Sequence, residues 1–352
     1  MQKAKRIFLI TDTKEFTERL LLGGIRKRVK GLIRLGHDTQ MFSYNAAFWQ
    51  TAPVMSRLLT RRWCKPYVDE LLVKQIKNYK PDIVLVGFVN FLDAQTVRLA
   101  RDAAPDAFFL GTDGDLWPEL HKGRIQAAAN LELVMTTCDG KGIQAYQNAG
   151  IRCVFMPNSC DPDVEYRYNV CDKWKSDVLF TGRPRYKHKR YPTEDTRYQL
   201  LSRLANMQGS ALYGCFDRPK VVGINYLFAI SGAKIGLSVN ALNDIRLYHS
   251  DRLINYLSCG TFVLAKRVPD TELLFKDGVH LRYFDTVEEF ADLVNWYLNH
   301  EDERIKIADA GMNYAHAEFN CEKIAKYTMD IIEKGSYIAP WTDGILNSAP
   351  KK

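Results

Sequence analysis

Tyr248-His-Ser-Asp-Arg-Leu-Ile-Asn-Tyr-Leu-Ser-Cys-Gly-Thr-Phe-Val-Leu-Ala265 carries three pieces of local structure in one short run. A polar, charged loop leads through Asp251 and Arg252 into an apolar helix. Gly260 ends that helix, and Thr261–Ala265 follows at once as a buried strand. The start of such a helix offers unbonded backbone N–H groups and the positive end of the helix dipole, which suit a phosphate. Asp251 and Arg252 add a hydroxyl acceptor and an anion donor to the same place. An ordinary αβ unit with a solvated cap has the same pattern, so the rest of the chain must decide between them.

Outward from this stretch, strands and helices alternate. In the first half, apolar runs at Ile7–Ile10, Thr39–Ser43, Asp82–Gly87, Ala107–Gly111, Leu131–Thr136 and Ile151–Met156 read as strands. The stretch Ile25–Leu35 follows the pair Gly23-Gly24 and repeats its apolar residues at helical spacing. The second half repeats the scheme: Ser176–Gly182, Ser210–Gly214, Ala233–Val239 and Thr261–Ala265 are expected strands. Tyr198–Met207, Val287–Leu298 and Glu301–Glu318 are expected helices. Strands joined through helices pair in parallel by right-handed crossovers. The expected architecture is α/β, two Rossmann-like doubly wound domains facing across a cleft. Residues 1–160 form the first domain and 161–330 the second. Residues 331–352 form a tail, and a terminal helix near 320–333 could cross back to the first domain. Periodicity fades near 157–175, which places the boundary.

The bulk properties agree with such a protein. At 352 residues, two domains are a better expectation than one. No apolar run approaches the ~20 residues that span a bilayer, and the N-terminus lacks a signal-peptide pattern, so a cytoplasmic location is expected. The eight cysteines are scattered with no C-x-x-C pair, which argues against a zinc site or a disulfide framework. The formal charge of +8 suits an anionic ligand, an anionic membrane or nucleic acid. No zinc-finger or RNA-recognition signature is present, so nucleic acid is not an expected partner.

Four passages carry a family likeness. They are Gly23-Gly-Ile-Arg-Lys-Arg-Val-Lys-Gly-Leu-Ile-Arg-Leu-Gly-His-Asp38, Met156-Pro-Asn-Ser-Cys-Asp161, Asp177-Val-Leu-Phe-Thr-Gly-Arg183, and Asp251–Ala265 continued by Pro269, Glu272-Leu-Leu-Phe275, Gly278 and Phe284-Asp285. Together they resemble bacterial glycosyltransferases of the GT-B fold, the group related to the spore-maturation protein CgeB and to group 1 transferases. The likeness is densest over 176–330 and thin over 44–105. Many group 1 enzymes have a ribose-holding Glu where this chain has Asn255, and the linker element has Ser159 and Cys160 in place of Gly and Val.

The resemblance implies a nucleotide-sugar donor in the second domain and a glycan or lipid-linked acceptor in the first, in the synthesis of cell-surface polysaccharide or glycoconjugate. The leaving phosphate gains charge in the transition state, so fixed cations there lower the barrier. Arg183, Lys187 and Arg252 are the candidates, with Gly182 allowing close approach of backbone. Tyr213, Asn240, Asp251, Asn255 and Gly24 are further donor-side candidates. Gly23 and Asp115 are placed on the acceptor side. Asp113, in Gly111-Thr-Asp-Gly-Asp115, is the first candidate for the base that takes the acceptor's proton, with Asp12 second; a turn-forming Asp-Gly pair is the alternative for Asp113. His249 is the one histidine beside the donor loop. No cofactor and no metal are expected, the nucleotide sugar being a substrate.

Met55–Lys65 is basic and carries Leu58, Leu59 and Trp63. It could dock on an anionic membrane, although an ordinary surface helix with a buried Trp63 is the stronger expectation. Two other functions remain open: a sugar-nucleotide epimerase or hydrolase of the same fold, and a non-catalytic nucleotide-sugar-binding protein. A dehydrogenase is disfavoured, because Thr11-Asp-Thr-Lys-Glu-Phe16 replaces the Gly-x-Gly-x-x-Gly fingerprint after the first strand.

Overall fold

The computed structural model describes residues 3–12, 23–51, 57–89, 91–114, 122–182 and 196–342, the side chains of 57–62 apart. Two compact units result. The first comprises Met1–Pro157, Ile324–Ile338 and Thr342–Lys352; the second comprises Asn158–Lys323 and Ala339–Trp341. None of the described helices is long and apolar enough to cross a membrane.

The first unit is built on β1 (Arg6–Thr11), β2 (Asp38–Ser43), β3 (Ile83–Val86), β4 (Phe108–Asp113), β5 (Leu133–Thr136) and β6 (Cys153–Phe155). They form one parallel sheet in the order β2-β1-β3-β4-β5-β6. Its central strands are continuous apolar runs, as burial on both faces requires: Ile7–Ile10 and Ile83–Val86 are buried throughout. The helices are α1 (Gly24–Arg34), α2 (Tyr44–Thr51), α3 (Arg57–Tyr79), α4 (Ala94–Ala103), α5 (Lys122–Ala128) and α6 (Lys141–Asn148).

Helix α3 turns Val68, Leu72 and Ile76 inward, together with one acid, Asp69. That carboxylate is fully used. It accepts from the Tyr44 hydroxyl on α2, from Thr96 Oγ1 on α4 at 3.1 Å and from Lys65 Nζ at 2.6 Å. The network pins α2, α3 and α4 together at the carboxyl end of the sheet, and a buried carboxylate is tolerated because every bond is made.

The second unit holds β7 (Ser176–Thr181), β8 (Ser210–Tyr213), β9 (Ala233–Ser238), β10 (Phe262–Lys266) and β11 (Arg282–Phe284), parallel in the order β11-β10-β9-β7-β8. Its helices are α7 (Thr196–Ala205), α8 (Ile224–Ser231), α9 (Asp251–Ser258), α10 (Val287–Asn299) and α11 (Glu301–Glu318). Phe180, Leu200, Leu204, Ile235, Leu237, Phe262 and Phe290 share its core. Every residue of α9 from Leu253 to Ser258 is buried. Gly236 on β9 makes that possible: a Cβ there would stand 2.5 Å from the Tyr256 ring.

The last helix, α12 (Cys321–Lys334), takes the chain from the second unit back into the first. There the Tyr327 hydroxyl donates to the carbonyl of Phe155 at the end of β6.

Each sheet reverses its strand order once, between β1 and β3 in the first and between β7 and β9 in the second. Such a reversal opens a crevice at the carboxyl ends of the two strands, where open α/β sheets bind their ligands.

Candidate nucleotide-sugar site

The crevice of the second unit is occupied by Arg252, in the first turn of α9. Its Nε donates to the Thr181 carbonyl at the end of β7 (2.6 Å). Its Nη1 donates to the Val239 carbonyl just past β9 (3.1 Å) and to Ser250 Oγ (3.2 Å). The guanidinium also lies over the Phe180 ring, 4.4 Å from its centroid. Neutral oxygens and a π-face therefore hold the cation, and no carboxylate among the described residues pairs with it. A Cβ on Gly182 would stand 2.9 Å from Nη2, so the bare glycine leaves that nitrogen room.

The loop that feeds α9 is braced from β9. Asn240 Nδ2 donates to the Tyr248 carbonyl (3.0 Å), and its Oδ1 accepts from Ser250 N–H (3.1 Å). Both ends of this amide are used inside the loop, so Asn240 shapes the site from behind. Ser250 is the N-cap and makes no side-chain cap bond, which leaves the helix start open to an external acceptor. Asp251 is exposed in that first turn. His249 is buried, with Nδ1 at 3.2 Å from the Leu247 carbonyl and its ring edge-on to Phe275. Burial pushes its pKa below the ordinary histidine value and keeps the ring neutral.

One turn into α9, Asn255 is buried and donates from Nδ2 to the Tyr226 hydroxyl on α8 (3.3 Å). The Tyr256 hydroxyl accepts from Thr181 N–H (2.9 Å) and lies 3.0 Å from Thr181 Oγ1. Burial raises both tyrosine pKa values well above the usual, so the cluster is neutral hydroxyl and amide. A glutamate in place of Asn255 would put a charge into that buried setting.

Gly182 N–H donates to the Tyr213 carbonyl (3.0 Å), which holds the ends of β7 and β8 together. The next residue, Gly214, has φ +78°, and a Cβ there would come 2.6 Å from the Gly182 carbonyl. Beyond it stand cations that the sequence reading did not single out. The guanidiniums of Arg197, Arg218 and Arg252 all act on the buried Cys215 thiol; burial raises that thiol, and the three charges oppose it. Arg197 reaches the same Phe180 ring as Arg252, 5.4 Å from its centroid. The available signal was the basic run Arg218-Pro-Lys220 directly after Tyr213-Gly-Cys. Arg183, Lys187 and Asp115 lie outside the described residues.

In the first unit Gly23 caps α1 and Gly24 begins it, with open space where a Cβ on Gly24 would be. Arg28, in the second turn, donates from Nη1 to Thr112 Oγ1 (3.0 Å) at the end of β4. Asp113 ends β4 and corrects an expectation. Its side chain is 3% exposed; its oxygens accept from Arg124 Nη1 at 2.8 and 3.0 Å and from the Tyr146 hydroxyl at 2.6 Å. A carboxylate locked to a buried guanidinium has its lone pairs spent, so Asp113 anchors α5 and α6 to β4 and is not a base for a substrate hydroxyl. Asp12 stands half-buried at the end of β1, beside that sheet's order reversal. Among the described residues no group of three or more His, Cys, Asp or Glu is arranged to hold a metal ion.

Two doubly wound parallel units of six and five strands make this a GT-B fold. The family described as glycosyl transferase-like matches residues 190–330, which include α7 through most of α12 and the Arg252 crevice. Among solved structures, Anabaena Alr3699/HepE in complex with UDP and glucose has a TM-score of 0.61 at 13% identity, covering 94% of this chain and 100% of that one. A glycosyltransferase from Rickettsia africae has a TM-score of 0.61 at 15% identity, covering 95% and 100%. A putative UDP-N-acetylglucosamine 2-epimerase from Listeria monocytogenes has a TM-score of 0.55 at 11% identity, covering 96% and 100%. At such identities the likeness is one of fold. No curated protein matches the sequence.

Proposed function

We propose that the protein transfers a glycosyl group from a nucleotide-sugar donor to a hydroxyl of a glycan or lipid-linked acceptor, in the making of a surface polysaccharide or glycoconjugate. The observation that carries the reading is Arg252. It is a cation without a carboxylate partner, fixed by two strand-end carbonyls at the β7/β9 reversal and set in the first turn of an uncapped helix. A donor diphosphate is the anion that such a place fits. The family match over 190–330 supports the same chemistry.

In the reaction, the acceptor oxygen bonds to the sugar's anomeric carbon and the bond from that carbon to the diphosphate oxygen breaks. The nucleoside diphosphate leaves with the electron pair. Arg252 Nη2 and the first N–H groups of α9 meet the charge as it grows. Because Nε and Nη1 are already bonded, little reorganisation is needed at that moment. Arg183 and Lys187, which follow Gly182 in sequence, join it in this reading, as do Arg197 and Arg218. Tyr213 and Asp251 hold the nucleoside part. Asn255 positions Tyr226, and Asn240 positions the loop. Asp12 takes the acceptor's proton, with Asp115, Gly23 and Gly24 lining the loops near the acceptor. No metal takes part.

Thermal-shift titration with UDP-, GDP-, ADP-, TDP- and CMP-sugars tests this. One class should raise Tm, and Arg252→Ala should abolish that rise and lower turnover by about 10²–10³. An unchanged ligand-induced shift in Arg252→Ala would remove Arg252 from the site. The epimerase fold relative gives the rival reading its own outcome: epimerised or free sugar formed from donor without any acceptor.

A further inference from the structure

Helix α3 is apolar on two sides. Val68, Leu72 and Ile76 face the sheet. Trp63, Tyr67 and Leu71, on the other side of the helix, are 74%, 67% and 41% exposed. The expectation that Trp63 would be buried is therefore wrong, and the reason is geometric. At 100° per residue the two sets fall on opposite faces, and only one face meets α2, α4 and β1. Trp63, Tyr67 and Leu71 are spaced i, i+4, i+8 and make a strip about 12 Å long. Two large aromatics with polar tips, backed by a leucine, are costly to leave in water and are the residues that settle at the level of lipid headgroups.

Charge selects the kind of surface. From Thr39 to Val68 the sequence has no Asp or Glu, and it has Arg57, Arg61, Arg62 and Lys65. Lys65 is taken up by Asp69 and Asp93. Three arginines remain, all in the first two turns of α3, next to the aromatic strip in sequence. The nearest following acid, Asp69, points inward and is neutralised in its network.

We infer that the outer face of α3 is a docking surface for an anionic lipid bilayer. The rings of Trp63 and Tyr67 enter the interface, and the arginines lie against the headgroups. Because the Asp69 network fixes α3 on the sheet, docking orients the whole first unit without any helix having to cross the membrane. The inference stands on this face alone and is independent of which sugar is moved.

Co-flotation of the full-length protein with vesicles tests it. Binding is expected to vesicles of phosphatidylcholine containing phosphatidylglycerol and not to phosphatidylcholine alone. The double variant Trp63→Ser/Tyr67→Ser should lose binding by tenfold or more, about what removing two large apolar contacts removes. Arg61→Gln/Arg62→Gln should weaken it by about fivefold per arginine. Both variants alter exposed positions and should keep the wild-type thermal shift with nucleotide sugar, which separates this result from a failure of the glycosyl-transfer reading. Absence of wild-type binding to anionic vesicles overturns the inference, and so does binding that survives Trp63→Ser/Tyr67→Ser. Lipid-free self-association abolished by the same double variant would assign the face to a second copy of the chain and overturn it too.

Discussion

Arg252 is charged, half-buried and bonded only to neutral atoms, whereas Asp113 is charged, buried and bonded to a charge. That difference separates a group waiting for a ligand from a group already satisfied. It also gives a test. Asp113→Asn keeps the shape but breaks a buried ion pair, so it should lower stability by about 3–5 kcal/mol. Turnover of the fraction that stays folded should remain within a fewfold of wild type. Denaturant melts and active-site-normalised kinetics measure the two separately. A melt like wild type with turnover down by a thousandfold would restore Asp113 as the base. Sequence made Arg252 legible because a charged residue just before an apolar helix is itself a signal. It could not rank Asp113, since an Asp at a strand end looks the same whether it faces a substrate or Arg124, eleven residues on. Arg197, Arg218 and Tyr226 went unnoticed because they lie on different elements that only the folded sheet brings to Phe180, Cys215 and Asn255.

At the scale of elements, the strands were readable wherever both sheet faces are covered, because each is an uninterrupted apolar run. β11 was not, at three residues beginning with Arg282. Helix α3 was unreadable for a different reason: apolar residues on both faces erase the one-sided periodicity that marks an ordinary surface helix. α11 shows how tightly such elements are fitted. Its Tyr314 stacks on His280 at 4.0 Å, and His280 Nδ1 accepts from Lys276 N–H. Burial, helped by the Lys276 charge, lowers the His280 pKa from 6.5 to about 4. A lowered folded-state value makes this contribution complete above pH 6.5. As pH falls from there the unfolded chain takes up a proton that the folded one refuses, and the loss is complete below about 4. The full effect is of the order of 3 kcal/mol. Urea midpoints should therefore drop between those pH values, and His280→Asn, whose Oδ1 can replace Nδ1, should flatten part of the drop. An unaltered pH profile in that variant would show that other groups are responsible.

On the scale of the whole molecule, the two-unit α/β plan followed from alternation alone, since few arrangements satisfy ten buried strands separated by helices. Sequence showed less well where the chain belongs after residue 320, because an amphipathic helix does not announce which core it will cover. Tyr327, Ile331 and their neighbours are buried in the first unit, although 166 residues separate Pro157 from Ile324. Removal of residues 324–352 should thus unfold the first unit selectively. Limited proteolysis should then cut before residue 157 while leaving 158–323 resistant; cleavage confined to the second unit would contradict the assignment.

The return of α12 also fixes an order of events during synthesis. While the polypeptide is still leaving the ribosome, the segment Asn158–Lys323 is available in full before the strands made ahead of it have their last covering helix. The part translated first is thus the part completed last, and a nascent chain stalled near residue 320 would present a finished nucleotide lobe joined to an open, adhesive partner.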